Sequence, residues 1–464
     1  MVSSNILIAL FAVFFGVVTS LIFLFARGYG KSKDGFFVSF RNLGFILAAI
    51  SAAMAWTNSP AFFISFFQSY TNGLTGLFWF SFGNIITLMV YSFGAQKVRA
   101  VIPQGYTFSE FMGKLHGQRL QKVYMFCLSL VAVLTLCTGL ITLTKTLSIV
   151  IGVNQLLITA VVMASVFLLS FRVGLRATLY AEVIKFASII GLYGFIFLAF
   201  VFYNHSGINP AGITQQGLQF SWNMFVTFGL LTFLGQMAAP WIDNSFAQRA
   251  LSIEEDKSVQ KTFITSGFLF AIPVLLSGIM GFIAAATPIS VPKGQEAFSI
   301  IYAIKDMLGY NFLVLFLFVV IASLIGILDS YLYNISSFIG NDIAKMRGWT
   351  EKKSLFMTRL GLVLISIFCV VFVNLSFINL IFVFLLTQCV RMCLGLTSAG
   401  LTLKPEWFDG NRTAYVILAA LALCCTGFFI GEIYQIKYYA LVLAIVFGLL
   451  TPVLCIVMSR PKLS

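Results

Sequence analysis

The sequence predicts an all-α, polytopic membrane protein with about thirteen transmembrane helices, two of them broken near the middle. Three observations support this prediction. The 464-residue chain is 60% hydrophobic and only 9% charged, too little charge to cover a soluble globular protein of this length. Apolar runs of about 20 residues recur along nearly the whole chain, each long enough to cross roughly 30 Å of hydrocarbon. Short polar interruptions at 57–60 and 240–244 divide two of these runs.

The apolar runs are numbered here as spans 1 to 13. They lie at about 4–26, 43–68, 74–96, 122–151, 155–172, 177–203, 221–252, 260–287, 309–343, 354–374, 378–402, 412–431 and 435–458. The hydrophilic stretches between them are too short for a soluble domain. Two of these stretches predict short helices, an interfacial one around 108–111 and an exterior one around 295–308.

The distribution of basic residues predicts the orientation of the chain. With the N-terminus outside and the C-terminus in the cytoplasm, all but six of the 29 Lys and Arg fall in cytoplasmic loops or at cytoplasmic ends of spans. The exceptions are Lys293, Lys305 and Lys437 outside, and Lys145, Lys185 and Arg391 within spans. The net charge of +14 is therefore a positive-inside bias. We expect a multi-pass protein of the plasma membrane (a bacterial inner membrane) that contacts lipid and no nucleic acid.

Other sequence features argue against an enzyme. All eight cysteines lie in apolar spans without metal-ligand spacing, so we expect small core residues, no metal site and no disulfide. The two histidines, His116 and His205, fall on opposite predicted sides, and no paired-carboxylate motif is present. Span 1 lacks a positive n-region and a cleavage site, which predicts a retained helix.

Spans 2–6 and 7–11 form two sets of five, and each set begins with its broken span. Since five is odd, the second set has the opposite orientation, which predicts an inverted repeat. We therefore divide the chain into an extra helix with the first cytoplasmic loop (1–42), two five-helix repeats (43–203 and 221–402), and two C-terminal helices (403–464). Broken helices survive in a membrane only where they line a protein cavity, and matched interruptions point to the solute site of a secondary transporter.

Several motifs occur in order over about 30–350 of the chain. They are 31–37 (KSKDGFF) with 41–44 (RNLG), 51–56 (SAAMAW), 105–111 (GYTFSEF), 174–177 (GLRA) with 182–184 (EVI), 243–249 (DNSFAQR), and 328–330 (LDS) with 341–343 (NDI). Together they resemble the sodium/solute symporter family, which moves sugars, proline, choline, vitamins and other small solutes. The resemblance implies alternating access around a midplane site among spans 2, 4, 7, 9 and 11.

The resemblance also implies where a coupling sodium ion would bind. The family's site uses two backbone carbonyls at the first break, here those of Met54 and Thr57. It also uses positions on span 9, here Ser323, Gly326 and Ile327. Sodium-coupled members usually carry a hydroxyl at the last two positions, and this sequence has none. Because a hard cation needs several oxygen ligands, we expect the usual sodium site to be partly lost.

Span 6 carries Glu182 and Lys185 three residues apart, and therefore on one helical face. The acid matching Glu182 serves an extra sodium ion in some members of the family. One hypothesis is that the Lys185 ammonium replaces the missing cation and pairs with Glu182, which would permit proton-coupled or uncoupled transport. The alternative is that both side chains snorkel to the cytoplasmic interface.

Half-helix ends at the breaks offer free backbone groups to a solute. The candidate solute-binding side chains near the breaks are Trp56, Asn58, Ser59, Gln236 and Trp241. The resemblance implies that Gln236 matches a solute-contacting position of sugar transporters. The gating aromatic of those transporters maps to Ala239, which disfavours a sugar. Trp241 could supply a stacking face instead. The alternative for both tryptophans is a packing role.

Two intramembrane cations, Lys145 in span 4 and Arg391 in span 11, complete the solute-binding candidates. Intramembrane charges are functional hypotheses by default, and two cations would suit a carboxylate-bearing solute, anionic or zwitterionic. As alternatives, Lys145 could reach the outer interface and Arg391 could pair with Asp329. For Asp243 and Asp329 we expect gating or structural roles.

The sequence therefore predicts a symporter-like secondary transporter for a small organic solute, with Na⁺ or H⁺ as coupling ion and no other cofactor. The alternatives are a proton-coupled or uncoupled carrier, and a transporter-like sensor module. A sensor of this kind would need a separate signalling partner.

Overall fold

The computed structural model of the protein describes residues 38–57, 59–173, 175–202, 222–287, 289–375, 378–436 and 438–459, with five single positions in span 1. At 59, 165–173, 175–177, 227, 324–329 and 333 the side chains lie outside this description. Asn58 and His205 fall outside the described residues altogether, as does most of the predicted first domain.

Helices follow one another along the described chain. The α-helices are α1 (Phe45–Trp56), α2 (Ser59–Val101), α3 (Phe108–His116), α4 (Gln118–Ile151), α5 (Gln155–Val173), α6 (Leu175–Ser188), α7 (Gly194–Phe202), α8 (Trp222–Met224), α9 (Leu230–Ala238), α10 (Asn244–Ser252), α11 (Val259–Ala284), α12 (Ser299–Leu308), α13 (Tyr310–Ser337), α14 (Ala344–Arg347), α15 (Glu351–Val373), α16 (Leu380–Leu403), α17 (Gly410–Ile433) and α18 (Tyr439–Ser459). Turns of 3₁₀-helix lie at Ser39–Arg41, Ala239–Ile242, Asp256–Ser258, Glu296–Phe298 and Pro405–Trp407, and π-helical turns at Ile189–Tyr193, Phe225–Gly229 and Phe338–Ile343.

This architecture confirms the all-α membrane fold. In the described part of the chain, eight helical segments are long and apolar enough to cross a membrane, and four shorter apolar helices accompany them. Among the described residues, extended pairing is limited to one isolated parallel bridge between Leu43 and Ile253. The protein is a multi-pass integral membrane protein. The total of thirteen spans, the inverted repeat, the domain boundaries and the orientation of the termini stay predictions.

Both predicted breaks interrupt helices in the structure. At the first, Thr57 leaves the helix with ψ of 91° between α1 and α2. At the second, α9 tightens into the 3₁₀ turn that contains Pro240, and Asp243 is extended before α10 begins. Proline cannot donate the helical hydrogen bond, which explains why the second helix ends here. A separate kink at Gly73, with φ of 58°, divides α2 where predicted spans 2 and 3 meet.

Close helix packing brings the two breaks together. A Cβ on Gly281 of α11 would lie 2.2 Å from the carbonyl oxygen of Phe66 in α2, and one on Gly395 of α16 would lie 2.2 Å from the Cβ of Ala238 in α9. Small residues permit this approach where helices associate in lipid. The Leu43–Ile253 bridge ties the start of α1 to the end of α10. The halves of both broken helices therefore share one interior with α4, α6 and α16.

Candidate functional site

The first break exposes two backbone carbonyls, and the side chain of Lys185 occupies them. Lys185 Nζ donates to the carbonyl oxygen of Met54 at 2.5 Å and also to that of Thr57. The helix leaves both oxygens available because the chain departs from helical geometry at Thr57. The Lys185 side chain is 0% exposed. An ammonium group therefore occupies the two carbonyls to which the resemblance assigned sodium.

One helical turn earlier on α6, Glu182 forms a buried ion pair with Arg249 of α10. Its second carboxylate oxygen accepts from Ser51 Oγ at 2.5 Å, and Arg249 Nε donates to that same hydroxyl at 2.9 Å. Arg249 also donates to the carbonyl oxygen of Ser245 at 2.9 Å. We call Ser51, Glu182, Lys185 and Arg249 the charge network. It joins α1, α6 and α10, and each of its charges has a bonding partner.

The charge network contradicts the snorkelling alternative. Glu182 is 1% exposed and Lys185 is 0% exposed, so neither side chain reaches an interface. The expected ion pair between these two residues is replaced by the pair of Glu182 with Arg249. The physical reason is geometry, since Lys185 is directed to the carbonyls of the break, while the guanidinium of Arg249 on α10 donates to Glu182.

On span 9 the predicted cation positions lie along α13. Ser323 is buried, and its hydroxyl has no hydrogen-bond partner within the described structure. Gly326, Ile327 and the predicted gating residue Asp329 lie on the helix, but their side chains fall outside the described part. Their roles stay predictions.

A narrow cavity lies beside the first break. It is lined by Trp56, Pro60, Ala61, Ile64, Phe80, Asn84, Thr135, Thr138, Gln236, Phe384, Thr387 and Arg391, from α1, α2, α4, α9 and α16. In the cavity about 20 Å³ is open to the centre of a water molecule, which is room for about one water. Three predicted solute-binding residues, Trp56, Gln236 and Arg391, meet here.

These three residues present polar atoms without partners in the described structure. The atoms are the indole nitrogen of Trp56, the amide oxygen of Gln236 and Nε of Arg391. The three side chains are only 4–5% exposed. Buried polar atoms are nearly always hydrogen-bonded, and each one left unpaired costs about 1–3 kcal/mol. A group of such atoms around one cavity is the arrangement expected of a ligand site.

Arg391 is the charged member of the cavity wall. Its guanidinium carbon lies 5.6 Å from the centre of the Trp56 ring, within cation–π range. Nη2 donates to Thr135 Oγ1 at 3.2 Å. The carboxylate in its electrostatic neighbourhood is Asp243. The proposed pairing with Asp329 involves a side chain outside the described part and stays a prediction.

The other solute-binding candidates either do not line this cavity or have side chains that the structure does not describe. Trp241 packs edge-to-face on Tyr91, with ring centres 5.3 Å apart, and against Gly94, so it is placed as a packing residue. Lys145 is half-buried on α4 and is not among the residues that line the cavity. The side chain of Ser59 is not described, and Asn58 is outside the described residues.

Asp243 and Asn244 at the second break anchor the helices around them. Asp243 caps α10 by accepting from the backbone N–H of Ser245 at 2.8 Å, and it accepts from the hydroxyl of Tyr331 at 3.0 Å. Asn244 accepts from the backbone N–H of Phe108 at 2.8 Å and donates to Ser337 Oγ at 3.1 Å. The second break therefore ties α10 to α3 and α13, a geometry that fits the gating or structural role expected for Asp243.

Sequence reasoning missed several of these residues. Arg249 belongs to the 243–249 motif, but its charge was assigned to a cytoplasmic span end together with the other basic residues. Ser51, Thr135 and Asn244 carry no distinguishing signal, because a small polar side chain in an apolar helix is common. The one available clue was the presence of Ser51 and Asn244 within motifs of the symporter resemblance.

Comparisons with known proteins identify the fold. No protein-family model matches the sequence. The probable urea active transporter 1 of Schizosaccharomyces pombe is 22% identical over 262 residues, which cover 51% of this chain and 38% of that protein. A Na⁺-coupled sialic acid symporter in a substrate-bound outward-open state has a similar structure, with a TM-score of 0.75, 14% identity and 98% of each chain covered. The manganese transporter of Eremococcus coleocola is also similar, with a TM-score of 0.53, 13% identity, and 89% of this chain and 94% of that one covered. The chain thus has a fold that membrane transporters use.

Proposed function

We propose that this protein is a secondary transporter of the sodium/solute symporter type, which moves a small organic solute across the membrane by alternating access. In this proposal Lys185 takes the place of the usual coupling sodium ion. The transporter fold and the cavity beside the first break support solute transport. The observation that carries the proposal is the bonding of the Lys185 ammonium to the carbonyls of Met54 and Thr57.

A fixed ammonium at this place excludes sodium for two reasons. The two carbonyl oxygens already accept hydrogen bonds, so a metal ion would have to displace Lys185. A second positive charge within a few ångströms would also be repelled strongly in a low-dielectric interior. The solute therefore binds without sodium. Because the two carbonyl dipoles stabilise the charge of the protonated amine, a proton is the ion whose gain and loss could be coupled to transport.

The charge network connects the halves of the two broken helices. It joins the first half of the first broken helix (α1) to α6 and to the second half of the second broken helix (α10). In inverted-repeat transporters, alternating access comes largely from rocking one helical bundle against the other around a midplane site. The cavity has room for about one water, so in this proposal a solute enters when the two bundles rock apart.

The first test is a thermal-shift screen of the purified protein against amino acids, carboxylates, polyols, amides and quaternary amines, in matched sodium and potassium buffers. A ligand that binds the folded state raises its apparent stability. We expect a hit whose shift is the same in both salts. Uptake of that solute into proteoliposomes should then be independent of sodium.

Two variants test the role of Lys185. Lys185→Met should abolish uptake or change its dependence on pH, because the carbonyls of the break lose their donor. Lys145→Met is the matched control, since it removes an intramembrane cation outside the cavity and should leave uptake intact. A ligand shift or uptake that requires sodium in the wild-type protein would contradict the proposal.

A further inference from the structure

The two sites in the interior differ in how their positive charges are compensated. In the charge network, Arg249 is paired with Glu182, and Lys185 donates to two carbonyls. In the cavity, Arg391 is 4% exposed and donates to one hydroxyl, that of Thr135. A buried charge is costly unless it is both paired and hydrogen-bonded. Within the described structure, Arg391 lacks a bonded acid.

The neighbouring carboxylates whose side chains the structure describes, Glu182 and Asp243, are already engaged. Glu182 accepts from Arg249 and Ser51. Asp243 attracts the guanidinium through space, but its oxygens accept from the Tyr331 hydroxyl and the Ser245 backbone. Among the side chains that the structure describes, Nε of Arg391 therefore remains a charged donor at the cavity without an acceptor.

We infer that the transported solute carries a carboxylate, which Arg391 binds inside this cavity. This inference rests on the proposed function, because it names the solute class for the same site. The Nε–H of Arg391 and the indole N–H of Trp56 are two unpartnered donors for carboxylate oxygens. The amide oxygen of Gln236 is an unpartnered acceptor for a hydroxyl, amino or amide group elsewhere on the solute. Hydrogen bonds between arginine and carboxylate are among the strong ones, being charge-assisted and often bidentate.

The cavity also limits the size of the solute. About 20 Å³ is open to the centre of a water molecule, which is room for about one water, so a solute must be small and must widen the cavity when it binds. The wall combines apolar side chains, Ile64, Phe80 and Phe384, with polar ones, Asn84, Thr138 and Thr387. A short monocarboxylate with one further polar group fits this pattern, whereas a cationic solute would face the charge of Arg391.

The test compares carboxylates with neutral molecules of the same shape on the full-length protein. Lactate, glycolate, pyruvate and propionate are matched against lactamide, glycolamide, pyruvamide and propionamide by thermal shift and by counterflow in proteoliposomes. We expect at least one carboxylate to bind at least 10-fold more tightly than its amide. A neutral solute that binds wild-type protein as tightly as the carboxylates, or a panel in which no carboxylate binds, would overturn the inference.

Variants of Arg391 locate the interaction. Arg391→Gln removes the charge and should weaken carboxylate binding at least 10-fold, with little effect on amides. Arg391→Lys keeps the charge without the planar donors and should give an intermediate loss. Lys145→Gln is the matched control and should bind like the wild type. Unchanged carboxylate affinity in Arg391→Gln would refute the assignment. If that variant fails to fold, competition between carboxylates and amides on the wild type decides.

The two proposals fail separately. A neutral solute that undergoes counterflow refutes the carboxylate inference and leaves the transport function standing. A carboxylate that binds through Arg391 without any counterflow supports a carboxylate site in this cavity and refutes transport, which is the behaviour of a sensor.

Discussion

The charge network and the cavity contain similar side chains a short distance apart, but they differ in hydrogen-bond satisfaction. In the network, Glu182, Lys185 and Arg249 complete one another's bonding with Ser51 and two backbone carbonyls. In the cavity, Trp56 and Arg391 keep unused donors. Buried charges whose hydrogen bonds are complete rigidify one conformation, whereas buried charges with unused donors can bind a ligand. The difference separates a site that positions helices from a site that binds solute.

The largest expected effect compares two arginines. Arg249→Met leaves Glu182 as an unpaired buried charge and should destabilise the protein by about 3–5 kcal/mol. Arg391→Met removes a cation that has no bonded acid among the described side chains, and it should be nearly neutral, or stabilising. Thermal or denaturant unfolding in detergent measures both. Equal losses in the two variants would show that the distinction between network and cavity is wrong.

A smaller loss of stability is expected at the first break. Lys185→Met removes the hydrogen-bond donor to the carbonyl oxygens of Met54 and Thr57. Each unpaired oxygen should lower the free energy of unfolding by about 1–3 kcal/mol. Lys145→Met changes a half-buried side chain outside the network and should cost little. The same unfolding measurement, repeated in sodium and in potassium, also shows whether an added cation restores stability once the ammonium is gone. A Lys185→Met protein as stable as the wild type would show that the contacts of Lys185 with the two carbonyls contribute little to folding stability.

The second break should respond more weakly. Asn244→Ala removes the acceptor for the backbone N–H of Phe108 and the donor to Ser337. We expect a loss of about 1–2 kcal/mol, because one buried donor is left unpaired. Relative to the wild type, backbone hydrogen exchange should accelerate more in α3 than in the other helices, since α3 loses its hydrogen bond to α10. Uniform exchange along the chain would contradict the proposed anchoring.

The smallest effect compares two tryptophans and refines the limits of the cavity. Trp56→Phe keeps an aromatic face for Arg391 but removes the unpartnered N–H, so solute binding should weaken by about 0.5–1.5 kcal/mol while the fold keeps its stability. Trp241→Phe alters a ring packed on Tyr91 and should leave solute binding unchanged. Isothermal titration or ligand-induced thermal shift distinguishes them. A larger binding defect in Trp241→Phe would place the solute at the second break instead.

Local composition predicted the two helix breaks, but it could not predict which side chains bond to each other. Pro240 cannot continue a helix, and the polar run from Thr57 to Pro60 cannot face lipid, so both interruptions followed from nearby residues. The partner of Glu182 could not be read in this way. Lys185 was the nearest cation along the chain, while Arg249 lies 67 residues away and meets Glu182 through helix packing.

The sequence by itself determined that the chain is a helical membrane protein with two broken helices, because hydrophobic length and backbone satisfaction in lipid are properties of short segments. It also marked Trp56, Gln236 and Arg391 as candidates. Tertiary structure alone decided that these three line one cavity, that Trp241 packs outside it, and that Lys185 binds the carbonyls of the break. Such contacts join residues far apart in sequence, and they depend on how closely glycines such as Gly281 and Gly395 let the helices approach.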